Sequence, residues 1–351
     1  MIIDTEVDYV PRIVVIGGGT GLSVMLRGLK RMPLDITAIV TVADDGGSSG
    51  ILRSELNIPP PGDIRNVLVA LADVEPMLEK VLEYRFKTGN GLAGHSLGNL
   101  ILAAMKDITG DFVTGVKELS KVLAVTGRVL PASGQAIVLN AELENGEIIT
   151  GESQIPKAKY PIKRVFLEPV DATPLEEALE ALREADAILV GPGSLFTSIL
   201  PNLLVPQMAK TIEQSSAIKM YVCNVMTQPG ETDHYSVSGH LQAIENHVGC
   251  RLFDYVIVNN GDIPEDVIER YAEQGATKVR LDLDKVVDQG YQIIADNLVL
   301  FKTYLRHDAN RLSRHINRLV KDWLSENEVK RHVIRGPDEE RVNPSRSKSM
   351  L

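Results

Sequence analysis

The feature of this sequence that most constrains its fold is a regular alternation of short apolar segments with longer amphipathic ones. The short segments are rich in Ile and Val, as in fully buried strands, and the longer ones carry apolar residues at helical spacing. Predicted strands cover residues 12–16, 35–42, 187–190, 219–223 and 255–258, and predicted helices cover residues 22–30, 175–184, 205–214, 237–247 and 264–274. Strands separated by helices pair in parallel through right-handed crossovers. The sequence therefore predicts an α/β fold with a Rossmann-like, doubly wound, mostly parallel sheet in three layers.

Two segments interrupt this alternation. Residues 62–124 are almost entirely helical in pattern, and residues 129–155 are typical of a β-hairpin, because AIVLNAEL and EIITGES flank a turn signal at Asn145-Gly146. We interpret both as insertions into a single domain over residues 1–330, since no linker rich in Pro, Gly or Ser divides the chain. A last helix is predicted near residues 308–326, and residues 331–351 have the composition of a disordered tail.

Composition argues against several classes of protein. With 351 residues and a formal net charge of -10, the chain lacks the basic balance that broad nucleic-acid binding requires. Its two cysteines are too few for a disulfide scaffold, which favours a reducing compartment. The first residues, MIIDTEVDYVPR, do not resemble a signal peptide, and no apolar stretch is long enough for a membrane span. We therefore expect a cytoplasmic protein that binds no nucleic acid.

A glycine-rich loop follows the first predicted strand and is the clearest sign of a ligand. The loop consists of Gly17, Gly18, Gly19, Thr20 and Gly21. Closely spaced glycines let an anion approach the backbone, and the amides at the start of the next helix favour negative charge. The loop matches neither common phosphate-loop pattern, because Leu22 stands where the dinucleotide fingerprint has its third glycine and no Lys-Ser/Thr pair follows. A phosphate site is favoured over a tight turn without a ligand.

Acidic residues follow the second predicted strand. Asp44 and Asp45 lead into a loop of Gly and Ser that should face the glycine-rich loop, because the carboxyl ends of adjacent parallel strands line one crevice. A carboxylate there can accept a hydrogen bond from a ribose or hold Mg²⁺ beside phosphates. Neighbouring side chains at a strand end point to opposite sides, so one aspartate should serve the ligand or metal and the other the following turn. The sequence leaves open which does which.

Further polar residues occur at predicted helix starts and strand ends. Asp63 follows three prolines and is a natural helix cap that, with Asn66, can also point into the crevice. The remaining candidate ligand-binding residues are His95, Asn99, Gly193, Ser194, Asn224 and Thr227. A turn alone would explain any one of these loops. Polar loops after three buried strands together predict a long ligand cleft.

Six motifs, in this order, carry a resemblance to a known family: IGGGTGL, TVADDGGSSG, PPPGDIRN, GHSLGN, GPGSLFTSILPNLLV and CNVMTQPGET. From about residue 11 to residue 320, the sequence resembles the YvcK family of bacterial proteins, also called gluconeogenesis factors or GlmR, within the CofD-like superfamily. The resemblance implies a cytoplasmic Rossmann-like protein that binds UDP-N-acetylglucosamine and links carbon metabolism to cell-wall precursor synthesis. It also implies a role in cell shape during gluconeogenic growth, and glucosamine-6-phosphate synthase as a partner.

The resemblance also implies roles for individual residues. Enzymes of the superfamily transfer a phospholactyl group with the help of Mg²⁺, and their metal ligands correspond here to Asp44 or Asp45 and to Asp63. Two positions of the family's nucleotide-sugar site correspond to Tyr271, in ERYAEQG, and Arg306, in YLRHDAN. A tyrosine ring can stack on uracil or a sugar, and an arginine can clamp a diphosphate through two hydrogen bonds.

Three functions remain as alternatives. The first is a sensor of nucleotide sugars without catalytic residues, which we favour because the motifs are closer to the YvcK family than to the deazaflavin enzymes. The second is a Mg²⁺-dependent transferase of nucleotidyl or phospho-acyl groups, for which the acidic residues are present. The third, a nicotinamide dehydrogenase, has the least support, although NAD would suit the crevice. We expect a homo-oligomer, and no regulation at Ala309, where some relatives have a threonine that a kinase modifies.

Overall fold

The computed structural model of the protein describes residues 9–73, 76–158, 160–301 and 305–335. The strands are β1 (Arg12–Gly17), β2 (Asp35–Val40), β3 (Arg128–Pro131), β4 (Val138–Leu143), β5 (Ile148–Thr150), β6 (Ile162–Glu168), β7 (Ala187–Val190), β8 (Ile218–Val222), β9 (Tyr255–Asn259), β10 (Gln292–Asp296), β11 (Val299–Phe301) and β12 (Leu305–His307). The helices are α1 (Gly19–Leu29), α2 (Gly47–Leu56), α3 (Gly62–Leu71), α4 (Pro76–Glu83), α5 (Leu97–Thr109), α6 (Phe112–Val122), α7 (Glu176–Glu184), α8 (Leu200–Leu203), α9 (Met208–Gln214), α10 (Val237–Val248), α11 (Glu265–Glu273), α12 (Leu283–Asp288) and α13 (Ala309–Arg335).

Within the described residues, a seven-stranded parallel sheet forms the centre of the molecule. Its strand order is β10-β9-β8-β7-β1-β2-β3, and Ile13 of β1 pairs with Ile36 of β2 on one side and with Ala187 of β7 on the other. The chain therefore builds the sheet outward from β1 in both directions. The loops that follow β1 and β7 diverge at this topological switch point, where open α/β sheets bind their ligands.

Helices cover both faces of the sheet, because its strands are apolar on both. In β1, Ile13 and Val15 are buried in one hydrophobic cluster, and Val14 and Ile16 are buried in a second cluster on the opposite face. Helices α1, α3 and α13 contribute side chains to the first cluster, and α7, α8, α9 and α10 contribute to the second. Alternate side chains of a strand point to opposite faces, so both faces need a covering layer. The predicted Rossmann-like, three-layer α/β fold is confirmed.

Two insertions interrupt the alternation of strands and helices. Helices α2 to α6 occupy the chain between β2 and β3, and the segment predicted to be helical contains four of them. β4 and β5 form a hairpin, which β6 extends to a three-stranded antiparallel sheet. Residues 129–131, which were predicted to open the hairpin, instead belong to β3 and pair with β2. Val129 and Leu130 of this strand are 2% exposed, so the central sheet buries them more fully than a surface hairpin would.

The carboxyl-terminal region differs from the prediction in two respects. The last helix, α13, extends to Arg335 rather than ending near residue 326, so residues 331–335 are helical. The remainder of the predicted disordered tail, residues 336–351, lies outside the described residues. No helix in the described part of the chain has both the length and the apolar character needed to cross a membrane.

Candidate functional site

A cavity of about 560 Å³, which we call the main cavity, opens at the switch point of the sheet. Three groups of residues line it: the loop after β1, the loop after β7, and a wall built by the loop after β8 with parts of α11 and β12. Its lining includes Gly18–Gly21, Pro192–Ser194, Thr197, Ser198, Asn224–Gln228, Tyr271 and Leu305–His307. The volume is that of a small-molecule site.

The glycine-rich loop presents backbone amides to the main cavity. α1 begins at Gly19, the preceding Gly18 has no side chain with which to cap it, and the Asp63 carboxylate accepts a hydrogen bond from the Gly19 N–H. The first amides of such a helix lack internal partners and, with the helix dipole, favour an anion. Gly19 has a φ of +66°, a left-handed backbone that glycine adopts without steric cost. A Cβ on Gly18 would lie 2.5 Å from Asp63 Oδ2, so the loop packs directly against that carboxylate.

The loop after β7 is organised by hydrogen bonds between Ser194, which is partly buried, and the buried Glu231. The Ser194 hydroxyl donates a hydrogen bond to the carboxylate of Glu231, and it accepts bonds from the backbone N–H of Thr197 at 3.2 Å and from its hydroxyl at 2.7 Å. Glu231 is 7% exposed, and burial raises its pKa to about 7, an effect that the hydrogen bonds from Ser194 and Thr197 partly offset. Ser194 is therefore held in one orientation at the rim of the cavity.

The loop after β8 is joined to its neighbours through the side chains of Asn224 and Thr227. The Asn224 side chain accepts from the Gly193 N–H at 3.3 Å and donates to the Gly193 carbonyl at 2.8 Å, which locks the β7 and β8 loops together. The Thr227 hydroxyl accepts from the Thr277 N–H at 2.9 Å. Asn224 and Thr227 both line the main cavity. Because their side chains already bond to neighbouring loops, they fix the shape of the cavity as well as facing a ligand.

Tyr271, Arg306 and His307 form the outer wall of the main cavity. The Tyr271 hydroxyl accepts a hydrogen bond from the Leu305 N–H at 3.2 Å, which ties α11 to β12 next to Arg306. Arg306 is exposed, so its guanidinium is available to a ligand. His307 lies 3.3 Å from the Cys223 carbonyl through Nε2, and burial lowers its pKa to about 4, so the ring is neutral at pH 7 and Nε2 carries the proton.

The two adjacent aspartates after β2 have different surroundings. Asp45 Oδ1 accepts from the backbone N–H of Ser153 at 2.7 Å, so Asp45 holds the loop after β5. Asp44 Oδ1 accepts from the Gly46 N–H at 2.8 Å, and Asp44 faces a neighbouring cavity. Burial, followed by the charge of Asp44, raises the pKa of Asp63 to about 7. The division of roles that the sequence left open thus has a structural basis: Asp45 faces a protein loop and Asp44 faces solvent-accessible space beside Asp63.

Glu152, which was not predicted, completes this acidic group. Burial raises its pKa well above the usual value, and the nearby carboxylates of Asp63 and Asp44 raise it further. Its Oε2 atom is buried without a hydrogen-bond partner. A group of buried carboxylates with an unpartnered oxygen requires protons or a cation to balance its charge.

This acidic group is compatible with Mg²⁺ only if a ligand completes the coordination. Among the residues that the structure describes, no three His, Cys, Asp or Glu side chains converge as a metal-binding group. Mg²⁺ in proteins commonly takes one or two carboxylates and fills its remaining positions with water and phosphate oxygens. Asp44 and Asp63 supply that number of carboxylates beside the phosphate-facing loop. The donor set therefore fits a Mg²⁺ ion shared with a phosphate-bearing ligand.

A second cavity of about 410 Å³ lies around the starts of α2 and α3. We call it the second cavity; its lining includes Asp44, Gly47, Ser48, Ser49, Gly62, Asp63, Arg65, Asn66, Arg85 and Asn99. Asn66 and Asn99, predicted from sequence as part of one ligand cleft, therefore line this cavity and not the main one. His95 is 5% exposed and its Nδ1 lies 3.0 Å from the Ser48 hydroxyl, so it stands behind the wall that Ser48 forms.

The structure thus distributes most of the sequence-predicted residues over two neighbouring cavities, while Gly17, Asp45 and His95 line neither. Ten of them line the main cavity: Gly18, Gly19, Thr20, Gly21, Gly193, Ser194, Asn224, Thr227, Tyr271 and Arg306. Gly17 ends β1, and its carbonyl accepts from the Asn202 side chain at 3.1 Å. Glu152, Glu231 and His307 were missed. Glu231 follows Thr227 in the quoted motif CNVMTQPGET, and that motif was the available signal for it.

The fold and these cavities define a Rossmann-like α/β protein with a polar cleft at its switch point. The chain belongs to the CofD family: the family model described as "2-phospho-L-lactate transferase CofD" matches residues 13–299. The resemblance to gluconeogenesis factors is confirmed by relatives with that name. The chain is 54% identical to "Gluconeogenesis factor" of Bacillus subtilis over 89% of this chain and 99% of the relative. It is 59% identical to "Gluconeogenesis factor" of Halalkalibacterium halodurans over 87% of this chain and 95% of the relative.

A solved structure has the same fold. A crystal structure described as a protein member of the UPF0052 family from Bacillus halodurans superposes with a TM-score of 0.86 at 57% sequence identity. The match covers 88% of this chain and 99% of that chain. Similarity at this level over nearly the whole of the relative supports the arrangement of the central sheet and its insertions.

Proposed function

We propose that this protein is a cytoplasmic regulator that binds UDP-N-acetylglucosamine in the main cavity and links carbon metabolism to cell-wall precursor synthesis. In this role it would support normal cell shape during gluconeogenic growth, with glucosamine-6-phosphate synthase as a partner. The names of its relatives support a place in gluconeogenic metabolism. The single observation that carries the ligand assignment is that Tyr271 and Arg306 line the same cavity as the glycine-rich loop.

The chemistry of the cavity matches the parts of a nucleotide sugar. The amides that follow Gly19 at the start of α1 suit the diphosphate, and the exposed Arg306 guanidinium can donate two parallel hydrogen bonds to it. The half-buried Tyr271 ring offers a surface on which uracil or the sugar can stack. The same amides would also accept the diphosphate of NAD, which is a competing ligand in any binding test.

Calorimetric titration of UDP-N-acetylglucosamine into the wild-type protein and into Arg306→Ala tests this proposal. Loss of charged hydrogen bonds typically costs about 1.5–3 kcal/mol, so the variant should bind roughly ten- to hundredfold more weakly. Arg314→Ala is the matched control, because Arg314 is an exposed arginine on α13 that does not line the cavity. Equal binding by all three proteins, or tighter binding of NAD than of the nucleotide sugar, would contradict the assignment.

The acidic group supports a second candidate function, a Mg²⁺-dependent transferase of nucleotidyl or phospho-acyl groups. Asp44 and Asp63 would hold the ion, which would neutralise phosphate charge and polarise the phosphoryl group. Asp63 lies against the glycine-rich loop, so an ion there would be adjacent to a bound diphosphate. The two candidates differ in one observable: the regulator returns its ligand intact, whereas the transferase consumes it.

A further inference from the structure

We propose that the second cavity binds a small phosphorylated polyol, a ligand different from the nucleotide sugar. This inference goes beyond the proposed function and does not depend on it. The cavity is large enough for a small metabolite, at about 410 Å³. Its lining combines two arginines with two aspartates, so it presents both a basic wall and an acidic wall to whatever enters.

The basic wall consists of Arg65 and Arg85. Arg65 donates through one terminal nitrogen to Ser96 Oγ at 2.6 Å and through the other to Asn66 Oδ1 at 2.6 Å, while its Nε is buried without a partner. Within the described part of the chain, neither guanidinium has a carboxylate within salt-bridge distance. The charges of Arg65 and Arg85 repel each other, and the acids near Arg65 (Glu83, Asp63 and Asp44) form no salt bridge with it, so an anion between the two guanidinium groups would relieve that repulsion.

Two helix starts add to the preference for an anion. α2 begins at Gly47 and α3 begins at Gly62, each helix is ten residues long, and no side chain caps either one. Both glycines line the second cavity, so backbone amides without helical partners are available there. Phosphate binds readily to such amides together with arginine.

The unpartnered oxygen of Asn99 indicates the rest of the ligand. Asn99 lines the cavity and is 2% exposed; its Nδ2 donates to the Ser48 hydroxyl at 3.2 Å, but its Oδ1 has no partner. A buried acceptor without a donor is costly, so a ligand that supplies an O–H group would be favoured. Asp44 and Asp63 are further acceptors on the same wall. The ligand should therefore carry hydroxyl groups as well as a phosphate.

The second cavity is separated from the main one by Asp63. The Asp63 carboxylate lies against Gly18 of the main cavity and also lines the second cavity. A phosphorylated polyol would therefore sit on the other side of Asp63 from a nucleotide diphosphate, and the two ligands could be bound at once. This arrangement allows the affinity for one ligand to depend on the presence of the other.

The test uses glycerol 3-phosphate as the probe, titrated calorimetrically into the full-length chain. Inorganic phosphate and glycerol serve as comparison ligands. The variant is Arg85→Gln, since Arg85 is exposed and its replacement should leave the fold intact. The matched control is Lys87→Gln. Lys87 is two residues after Arg85 and does not line the cavity, so this variant removes one positive charge without changing the cavity wall. Each titration is repeated with the protein saturated with UDP-N-acetylglucosamine.

We expect glycerol 3-phosphate to bind more tightly than either comparison ligand, and Arg85→Gln to weaken that binding at least tenfold while Lys87→Gln does not. Binding that persists when the nucleotide sugar is present would place the probe outside the main cavity. Equal weakening by the two variants, no binding of the probe at millimolar concentration, or complete competition by the nucleotide sugar would overturn the proposal. If the protein does not bind the nucleotide sugar, the comparison of wild type, Arg85→Gln and Lys87→Gln without it still tests whether the second cavity binds glycerol 3-phosphate.

Discussion

Asp45 Oδ1 accepts a hydrogen bond from the backbone N–H of Ser153 at 2.7 Å, although the two residues are 108 positions apart. The bond joins the loop after β2 to the loop after β5, and Glu152, the residue before Ser153, has a carboxyl group that is buried near Asp63 and Asp44. Asp45 therefore positions another acid, while Asp44 faces the second cavity. We therefore expect replacement of Asp45 to change the stability of the protein and replacement of Asp44 to change its response to Mg²⁺.

Replacing Asp45 by Ala should reduce the free energy of unfolding, and replacing Asp44 by Asn should reduce the effect of Mg²⁺. Loss of the acceptor for the partly buried Ser153 N–H should cost about 1.5–3 kcal/mol, the range for a hydrogen bond to a charged group. Asp44→Asn keeps an acceptor for the Gly46 N–H but loses the charge that a metal requires. Urea unfolding measures the first effect, and titration of UDP-N-acetylglucosamine with and without Mg²⁺ measures the second. If Mg²⁺ does not change the affinity of the wild-type protein for UDP-N-acetylglucosamine, Asp44 and Asp63 do not hold a metal beside this ligand.

Replacing Gly19 by Val should abolish measurable ligand binding in the main cavity and leave the fold intact. A side chain at a φ of +66° costs about 1–2 kcal/mol, which a domain with a typical stability of roughly 5–15 kcal/mol tolerates. Its Cβ would meet nothing closer than Ser198 Oγ at 4.0 Å, so the valine would occupy ligand space and not protein space. Binding is measured by calorimetry and folding by thermal melting.

Gly146→Val is the matched control for backbone strain. Gly146 has a φ of +84° in the hairpin turn, and a Cβ there would have no neighbour within 4 Å. This variant should lose a comparable amount of stability and keep its affinity. If Gly19→Val also keeps its affinity, the glycine-rich loop does not bind the ligand.

Much of the fold was predictable because the strands of the central sheet are buried on both faces. Residues 187–190 (AILV) and 255–258 (YVIV) are continuous apolar runs of the kind that forms a fully buried strand, and both were predicted correctly as strands. β10, at the edge of the sheet, was not predicted: Gln292 and Asp296 begin and end a strand that is only partly buried, so apolar pattern alone does not mark it. The helical end of α13 was missed for a similar reason, since residues 331–335 follow a strongly polar stretch.

The candidate site was predictable only where a residue stands at a strand end or in a quoted motif. Ser194 and Asn224 lie in the loops that follow β7 and β8, and the parallel sheet brings these loops to one edge. Glu152 reaches the acidic group from the antiparallel insertion, and its approach depends on the long-range bond between Asp45 and Ser153. Local sequence contains no signal for such a contact. The separation into two cavities likewise depends on how α3 packs against the glycine-rich loop.

Replacing Tyr271 by Phe should weaken UDP-N-acetylglucosamine binding by about two- to tenfold, the effect of a neutral hydrogen bond worth roughly 0.5–1.5 kcal/mol. The lost hydroxyl accepts from the Leu305 N–H, the residue before Arg306, so the position of that arginine should become less fixed. Tyr271→Ala removes the ring as well and should weaken binding further. Tyr160→Phe, at an exposed tyrosine, is the control. Identical affinity of the Phe and Ala variants would exclude stacking on the ring.

Replacing Glu231 by Gln should make the protein relatively more stable at high pH. Burial raises the pKa of Glu231 from 4.5 to about 7, so the folded state binds this proton more tightly than the unfolded state does. The wild-type free energy of unfolding should therefore fall as the pH rises from 4.5 through 7, by up to about 3 kcal/mol from this group. Gln cannot ionise and should not show that decline.

The measurement is urea unfolding of wild type and Glu231→Gln at pH 4.5 and pH 8. The difference in unfolding free energy between the two proteins should increase toward pH 8 in favour of the variant. Glu55→Gln, at an exposed glutamate of α2, should show no such change. A difference that stays constant with pH would mean that the pKa of Glu231 is the same in the folded and unfolded states.

The last prediction separates the regulator from the transferase through Asp63. A regulator has to release its ligand chemically unchanged, so UDP-N-acetylglucosamine should be recovered intact after long incubation with Mg²⁺ and the wild-type protein. The measurement is chromatography of the ligand pool after incubation with wild type, Asp63→Asn and Arg306→Ala.

Asp63 contacts the glycine-rich loop and also lines the second cavity, so a Mg²⁺-dependent reaction in the main cavity would need its carboxylate. Arg306 is on the outer wall, and its loss should reduce binding without selecting between the two functions. Turnover by the wild type that disappears in Asp63→Asn would therefore identify a transferase and reject the regulator.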